Sequence, residues 1–349
     1  MKHSIYLLLA IVLLAVTACG GAKSVKDTKL AGAGATFPLP FYNLVFKTYK
    51  TACGVDVTYG GIGSGGGIRS LKDKVVDFAA SDAFLSDDEM KSMPAVVHVP
   101  TCMGAVVLAY NLKGVNDLKL TGDIVADIYL GKIKKWNDSR IAAINAGLKL
   151  PDKAIVAVYR SDGSGTTFVF SDYLTKVSAT WKSQIGSGKS LKWPVGIASK
   201  GNPGVAGTIS QTDGALGYVG SEYAFAQKIQ YALLQNAAGK FIKPSLQSIS
   251  AAASGDVPDD TRCMITNSSA AQAYPISCFT WLLVYKEQNY GGRTLAQATS
   301  TLQLLQWIIS PDAQKLTSRV NYAPLPAQVV DKAKKQLQTV TFNGKQVLK

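Results

Sequence analysis

Ala154-Ile155-Val156-Ala157-Val158-Tyr159-Arg160-Ser161-Asp162-Gly163-Ser164-Gly165-Thr166-Thr167-Phe168-Val169-Phe170 reads as strand, turn and helix in immediate succession. The β-branched run to Val158 has the composition of a buried strand. Gly163, Ser164 and Gly165 make a small-residue turn, and apolar residues then recur at helical spacing through Leu174. The first N–H groups of such a helix lack internal partners, and the helix dipole favours negative charge beside them. Ser164 and Thr166 add hydroxyl donors, and Arg160 adds a planar fork suited to a tetrahedral oxyanion. The plain alternative is an ordinary N-cap beside a surface Arg160–Asp162 pair.

The pattern recurs. Gly60-Gly61-Ile62-Gly63-Ser64-Gly65-Gly66-Gly67 follows Val55-Asp56-Val57-Thr58-Tyr59 and precedes Ile68-Arg69-Ser70-Leu71. Gly32-Ala33-Gly34-Ala35-Thr36-Phe37-Pro38 precedes Phe41, Leu44, Val45 and Tyr49, a helix face with Pro near its start. Other phosphate motifs fit less well. Gly61-x-Gly63-x-x-Gly66 has dinucleotide spacing but is weak evidence alone. Gly188-Lys189-Ser190 mimics the end of a P-loop, yet Ser183 stands where its first Gly belongs and no apolar strand precedes it.

Strands are expected near 29–34, 55–59, 77–81, 95–99, 105–110, 154–159, 215–219 and 280–285. Helices are expected near 39–50, 66–73, 123–130, 138–146, 165–176, 295–308 and 311–318. This alternation predicts an α/β fold with mostly parallel sheets, and ligands then lie outside the carboxyl ends of the strands. All three loops fall at such ends. A fourth element, Asp77-Phe78-Ala79-Ala80-Ser81-Asp82, puts a carboxylate there. A carboxylate repels a fully ionised oxyanion but accepts a hydrogen bond from one that keeps a proton, so a buried Asp82 favours phosphate over sulfate. Alternatively, Asp82 caps the helix signalled by Ser86-Asp87-Asp88-Glu89.

Lys2-His3 followed by an apolar core over 5–16 and then Val16-Thr17-Ala18-Cys19-Gly20 resembles a bacterial lipoprotein signal, cut before Cys19 and lipidated there. The alternative is an ordinary secretory signal with an unrelated Cys, and both export the chain. The mature chain of about 330 residues suffices for two lobes with their own cores. The net charge of +14 is spread over solvated faces and helps collect anions. No recognition module points to nucleic acid. Cys263 and Cys278 flank an Asn267-Ser268-Ser269 turn, so a hairpin closing there would pair them; Cys53–Cys102 is a weaker pairing. The only His outside the signal is His98, and no close Cys pair exists, so no metal site or cofactor is expected.

The four loop motifs, in this order and spacing, resemble the periplasmic phosphate-binding proteins of high-affinity phosphate ABC transporters. Trp136-Asn137, Gly214-Ala215-Leu216-Gly217-Tyr218-Val219 and Tyr274-Pro275-Ile276 add to a likeness running from about Leu30 to about Pro326. The resemblance implies a two-lobed periplasmic-binding-protein fold (type II), each lobe a mostly parallel sheet flanked by helices, with the ligand in the cleft. It implies a signal peptide over 1–18, a tether over 19–28, lobe I over 29–102 and 282–349, and lobe II over 103–281. The chain would cross between lobes near 100–105 and return near 275–282. Thr36, Phe37, Ser64 and Asp82 would bind inorganic phosphate from one lobe, and Arg160, Ser164, Gly165 and Thr166 from the other, with Asp162 holding the Arg160 fork. Gly65 departs from the pattern, where relatives often carry Ser. The implied partners are the transmembrane permease subunits of an ABC transporter and, through the lipid at Cys19 alone, the membrane on its periplasmic side. The protein is expected to be a monomer and not an enzyme. Two alternatives stand beside this: a phosphate-sensing or other oxyanion-binding surface lipoprotein, and an exported phosphatase with Ser164 as nucleophile and His98 as its base.

Overall fold

A computed structural model describes residues 28–348. The signal segment, the lipidation candidate Cys19 and the tether up to residue 27 lie outside the described residues. The strands that position the site are β1 (Lys29–Gly34), β2 (Asp56–Gly61), β3 (Phe78–Ser81), β4 (Val96–Tyr110), β5 (Val156–Arg160), β6 (Ile197–Ser199), β7 (Ala215–Gly220) and β8 (Ser277–Tyr285). They form one curled sheet in the order β2-β1-β3-β8-β4-β7-β5-β6.

The sheet is mixed, and its pairing shows why. At one end β1, β2 and β3 run parallel, and at the other β5, β6 and β7 do. These are the parallel sets expected from strand–helix alternation. Between them lie β4 and β8, antiparallel to each other and to their neighbours. Residues 96–105 of β4 pair with β8, and residues 106–110 pair with β7, so β4 carries the chain from one parallel set to the other. Every residue of β4 and β8 is buried.

β4 replaces the two strands expected at 95–99 and 105–110. Pro100 looks like a break in the sequence but lies inside the strand, opposite Trp281. Pairing with β7 begins only at Val106, so the missing N–H of Pro100 costs no ladder bond to β7. The register shifts between Thr280 and Trp281, which makes Thr101 the extra residue of a bulge. The Thr101 hydroxyl is held in place by Tyr42 Oη at 3.0 Å.

Four helices start at the carboxyl ends of these strands: α1 (Leu39–Cys53), α2 (Ser64–Lys72), α3 (Gly165–Val177) and α4 (Gly201–Gln211). α1 begins just after Pro38, has Pro40 in its first turn, and buries Phe41, Tyr42, Val45, Phe46 and Tyr49. The core is one continuous apolar cluster rich in aromatic rings. Beneath α3, Phe170 stacks on Tyr218 with centroids 4.4 Å apart, and Tyr129 and Trp193 pack around them.

The expected Cys263–Cys278 disulfide does not form, and Cys102, Cys263 and Cys278 are free thiols. The hairpin that would have joined Cys263 and Cys278 is absent. Cys278 lies on β8 opposite Gly104 of β4, while Cys263 sits half-buried in an irregular segment. A free Cys102 also rules out the weaker Cys53–Cys102 pairing. Among the described residues no helix is long and apolar enough to cross a membrane.

Candidate anion-binding site

The parallel register aligns the loops. Gly34 ends β1 opposite Gly61 of β2 and Ala80 of β3, so the chain leaves all three strands at one level. Gly34 has φ +148°, and a Cβ there would stand 2.1 Å from the Ala80 carbonyl oxygen, so only glycine fits. The Gly34 carbonyl accepts from Ile62 N–H and Gly63 N–H at 2.9 and 2.8 Å, which fixes the glycine-rich loop to the first one. At the opposite end of the sheet Arg160 of β5 pairs with Ser199 of β6.

Tyrosine hydroxyls hold the first loop by its carbonyls. Tyr59 donates to Ala35 O at 2.7 Å, Tyr223 donates to Thr36 O, and Tyr322 donates to Phe37 O. The Phe37 ring packs edge-on against Tyr322, deep in the core. Ser164 is the N-cap of α3 and accepts from Thr167 N–H at 3.0 Å. Its own O–H proton is not used by that bond. The capping alternative and the anion alternative are therefore compatible at this residue. Tyr218 buttresses the same loop: its oxygen accepts from Arg160 N–H at 3.0 Å and lies 2.6 Å from Thr167 Oγ1.

Of the eight residues read as ligands, Thr36, Ser64, Asp82, Arg160, Gly165 and Thr166 are linked by hydrogen bonds, directly or through Asn202, and Phe37 and Ser164 adjoin them in the chain. Asp82 is buried. Its Oδ1 accepts from Thr280 Oγ1 at 2.8 Å and its Oδ2 from Thr166 Oγ1 at 3.3 Å. Ser64 Oγ accepts from Gly165 N–H at 3.0 Å. Arg160 is forked onto Asp162, Nε to Oδ1 at 2.8 Å and Nη2 to Oδ2 at 2.5 Å, while Nη1 reaches Thr166 Oγ1 at 3.3 Å. Asp162 is fixed in turn by Gly201 N–H at 2.9 Å. Loops from the two parallel sets thus face each other and touch where Gly65 meets Gly163. Gly65 N–H donates to Gly163 O at 2.8 Å, and a Cβ on Gly65 would come within 3.2 Å of Gly163 Cα. The glycine at position 65 fits this close approach.

Burial sets the charge states. It raises the Asp82 carboxyl to about 7, against the opposing pull of the Thr280 bond, Arg160 and Thr166. Burial also pushes the Asp162 carboxyl up, but the Arg160 bonds outweigh it and hold the group below its usual range. Asp82 does not cap the helix that follows. Ser86 does, in a reciprocal box with Glu89.

Sequence reading missed two contributors. Asn202, fully buried in the first turn of α4, donates through its backbone N–H to Thr36 Oγ1 at 3.0 Å. Its Nδ2 donates to Thr36 Oγ1 and Thr166 Oγ1, each at 3.1 Å. Its Oδ1 is taken by Gly220 N–H at 3.0 Å. Lys200-Gly201-Asn202 has the small-residue helix start of the other loops but follows a strand of only three residues. Thr280 comes from β8 and is aimed at Asp82 where the bulge shifts the register. His98 has a structural job. Its Nε2 accepts from Leu85 N–H at 3.0 Å, and burial lowers its pKa to about 3. It makes no base for Ser164. Among the described residues no group of three His, Cys, Asp or Glu side chains could hold a metal ion.

The sequence profile of the PBP superfamily domain matches residues 21–312. The chain is 42% identical over 314 residues to the phosphate-binding protein PstS of Xylella fastidiosa strain 9a5c, covering 88% of this chain and 85% of that one. It is 38% identical over 332 residues to the PstS of Pasteurella multocida, covering 94% and 95%. A solved phosphate-binding protein from Stenotrophomonas maltophilia superimposes with a TM-score of 0.68 at 18% identity, over 88% of this chain and 94% of that one, which speaks to the fold. By its profile match and by these near full-length relatives, the chain belongs to the PBP superfamily and, within it, to the PstS family of phosphate-binding proteins.

Proposed function

We propose that this protein is a non-enzymatic receptor for inorganic phosphate that serves uptake by an ABC transporter. The observation that carries this reading is a buried carboxyl, Asp82, that accepts from Thr280 of the central strand β8 and from Thr166 at the start of α3, beside the Arg160 fork and Ser64. Thr36, Phe37 N–H, Ser64, Arg160, Ser164, Gly165 N–H and Thr166 would donate to the phosphate oxygens. Each charge-assisted bond is worth about 1.5–3 kcal/mol, which together offset the loss of hydration. Ionised Asp82 would accept the phosphate proton, since Oδ1 keeps a lone pair beyond its Thr280 bond and Oδ2 is freed when the Thr166 hydroxyl turns from it to the phosphate. Sulfate brings no proton and would meet a repelling contact.

In this reading residues 29–102 with 282–349 form one lobe and 103–281 the other, joined through β4 and β8. Closure over phosphate would present both lobes to the permease subunits. Export, lipidation at Cys19 and a monomeric state complete the proposal and agree with the sequence signal. The test is equilibrium dialysis of the refolded, phosphate-free mature chain against labelled phosphate. At pH 8, one phosphate per chain, displaced by arsenate and not by sulfate, is expected. A folded sample that retains no phosphate would overturn the reading.

A further inference from the structure

Gly188-Lys189-Ser190 has no part in the anion site, yet Lys189 makes the closest cation–carboxylate contact between the two ends of the sheet. Its Nζ lies 2.6 Å from Glu89 Oε1 and 2.7 Å from Oε2. Glu89 belongs to the short helix Asp87–Lys91, between β3 and β4. Lys189 lies in the loop between α3 and β6. The side chains are 20% and 32% exposed, so water screens the pair only in part. Lys189 is also tied to the anion loop. Its carbonyl accepts from Ser164 N–H at 2.8 Å, and the adjacent Gly188 N–H donates to Ser171 Oγ on α3 at 3.2 Å. One residue therefore touches the loop that carries Ser164 and, through its ammonium, the short helix Asp87–Lys91 from the other end of the sheet.

We propose that Lys189 and Glu89 form a latch that forms on closure and slows phosphate release, with Lys189 as a positioning residue for the Ser164 loop. The proposal rests on the phosphate-receptor reading. An ion pair made only in the closed form leaves the encounter step alone and acts on escape. Loss of the pair should raise the release rate about three- to tenfold with the association rate unchanged. Salt should reproduce part of the effect in the wild type and add less in a variant that lacks the pair, where the Arg262–Asp87 pair remains.

Stopped-flow association and release of inorganic phosphate would be compared for wild type, Lys189→Met, Glu89→Gln, the double variant and Lys189→Arg, at about 20 and about 500 mM salt. Gln at position 89 keeps the helix cap, because a capping box accepts Glu or Gln. The expected result is faster release in both single variants, a double variant no faster than either, and restoration by Lys189→Arg. Wild-type binding with release unchanged in Lys189→Met, or single effects that simply add, would overturn the latch alone. A wild type that takes up no phosphate would overturn the receptor reading and the latch with it.

Discussion

Asp82→Asn should make the phosphate-free protein less sensitive to alkaline pH. The carboxyl titrates near 7 in the fold, against 3.8 in its ordinary state, because burial penalises its charge. Between those values the folded chain holds a proton that the unfolded chain has released. The contribution to stability is therefore fully present below about pH 4 and is lost as pH rises through 7. A shift of about three units corresponds to about 4 kcal/mol, of which about 2–3 kcal/mol falls between pH 5 and 8. Asn cannot ionise, and its Oδ1 can still accept from Thr280. His98, shifted mainly by burial and not by Asp82, cancels in the difference, and Glu222 keeps its larger burial shift and loses only the smaller repulsion from the Asp82 charge. Urea unfolding at pH 5 and pH 8 gives the comparison. Wild type should lose about 2–3 kcal/mol more than Asp82→Asn between the two, and parallel losses would refute the burial argument.

Further outcomes follow from the same geometry. Below pH 7 a protonated Asp82 can donate to sulfate, so sulfate competition should emerge as pH falls and should appear at every pH in Asp82→Asn; competition dialysis reads this. Gly165→Ala would place a Cβ 2.6 Å from Ser64 Oγ and 2.7 Å from Asp82 N, which blocks the approach of the two loops; calorimetry should show phosphate affinity down about 100-fold, with thermal unfolding little changed. Arg160→Lys gives up the two-pronged pairing with Asp162 and should weaken phosphate binding about 10- to 100-fold in the same assay. Alkylation without reductant should label Cys102, Cys263 and Cys278 after unfolding, with half-buried Cys263 reacting first in the native protein, as mass spectrometry would show.

Thr36, Ser64, Asp82, Arg160, Ser164 and Thr166 were legible because each sits in a loop whose composition is dictated locally. Helix starts need small and hydroxylic residues, and close backbone approach needs glycine, so the signal survives in a single sequence. Thr280 left no such trace. It is an ordinary strand residue, and only the pairing of β8 with β4, bulged at Thr101, turns it toward Asp82. Asn202 was hidden by a three-residue strand too short to show periodicity. The expected 263–278 disulfide failed for a related reason. Cys278 is claimed by long-range pairing with β4, which outweighed the local turn signal. Pro100 misled in the opposite direction, since it lies before Val106, where pairing with β7 begins, and so costs no bond to that strand.

Calorimetric titration of the phosphate-free protein with phosphate and with sulfate at pH 8, where Asp82 is ionised, probes the central claim most directly. The account predicts one tight phosphate per chain and no heat from sulfate. Equal binding of the two anions, or none of either by a folded sample, would contradict it.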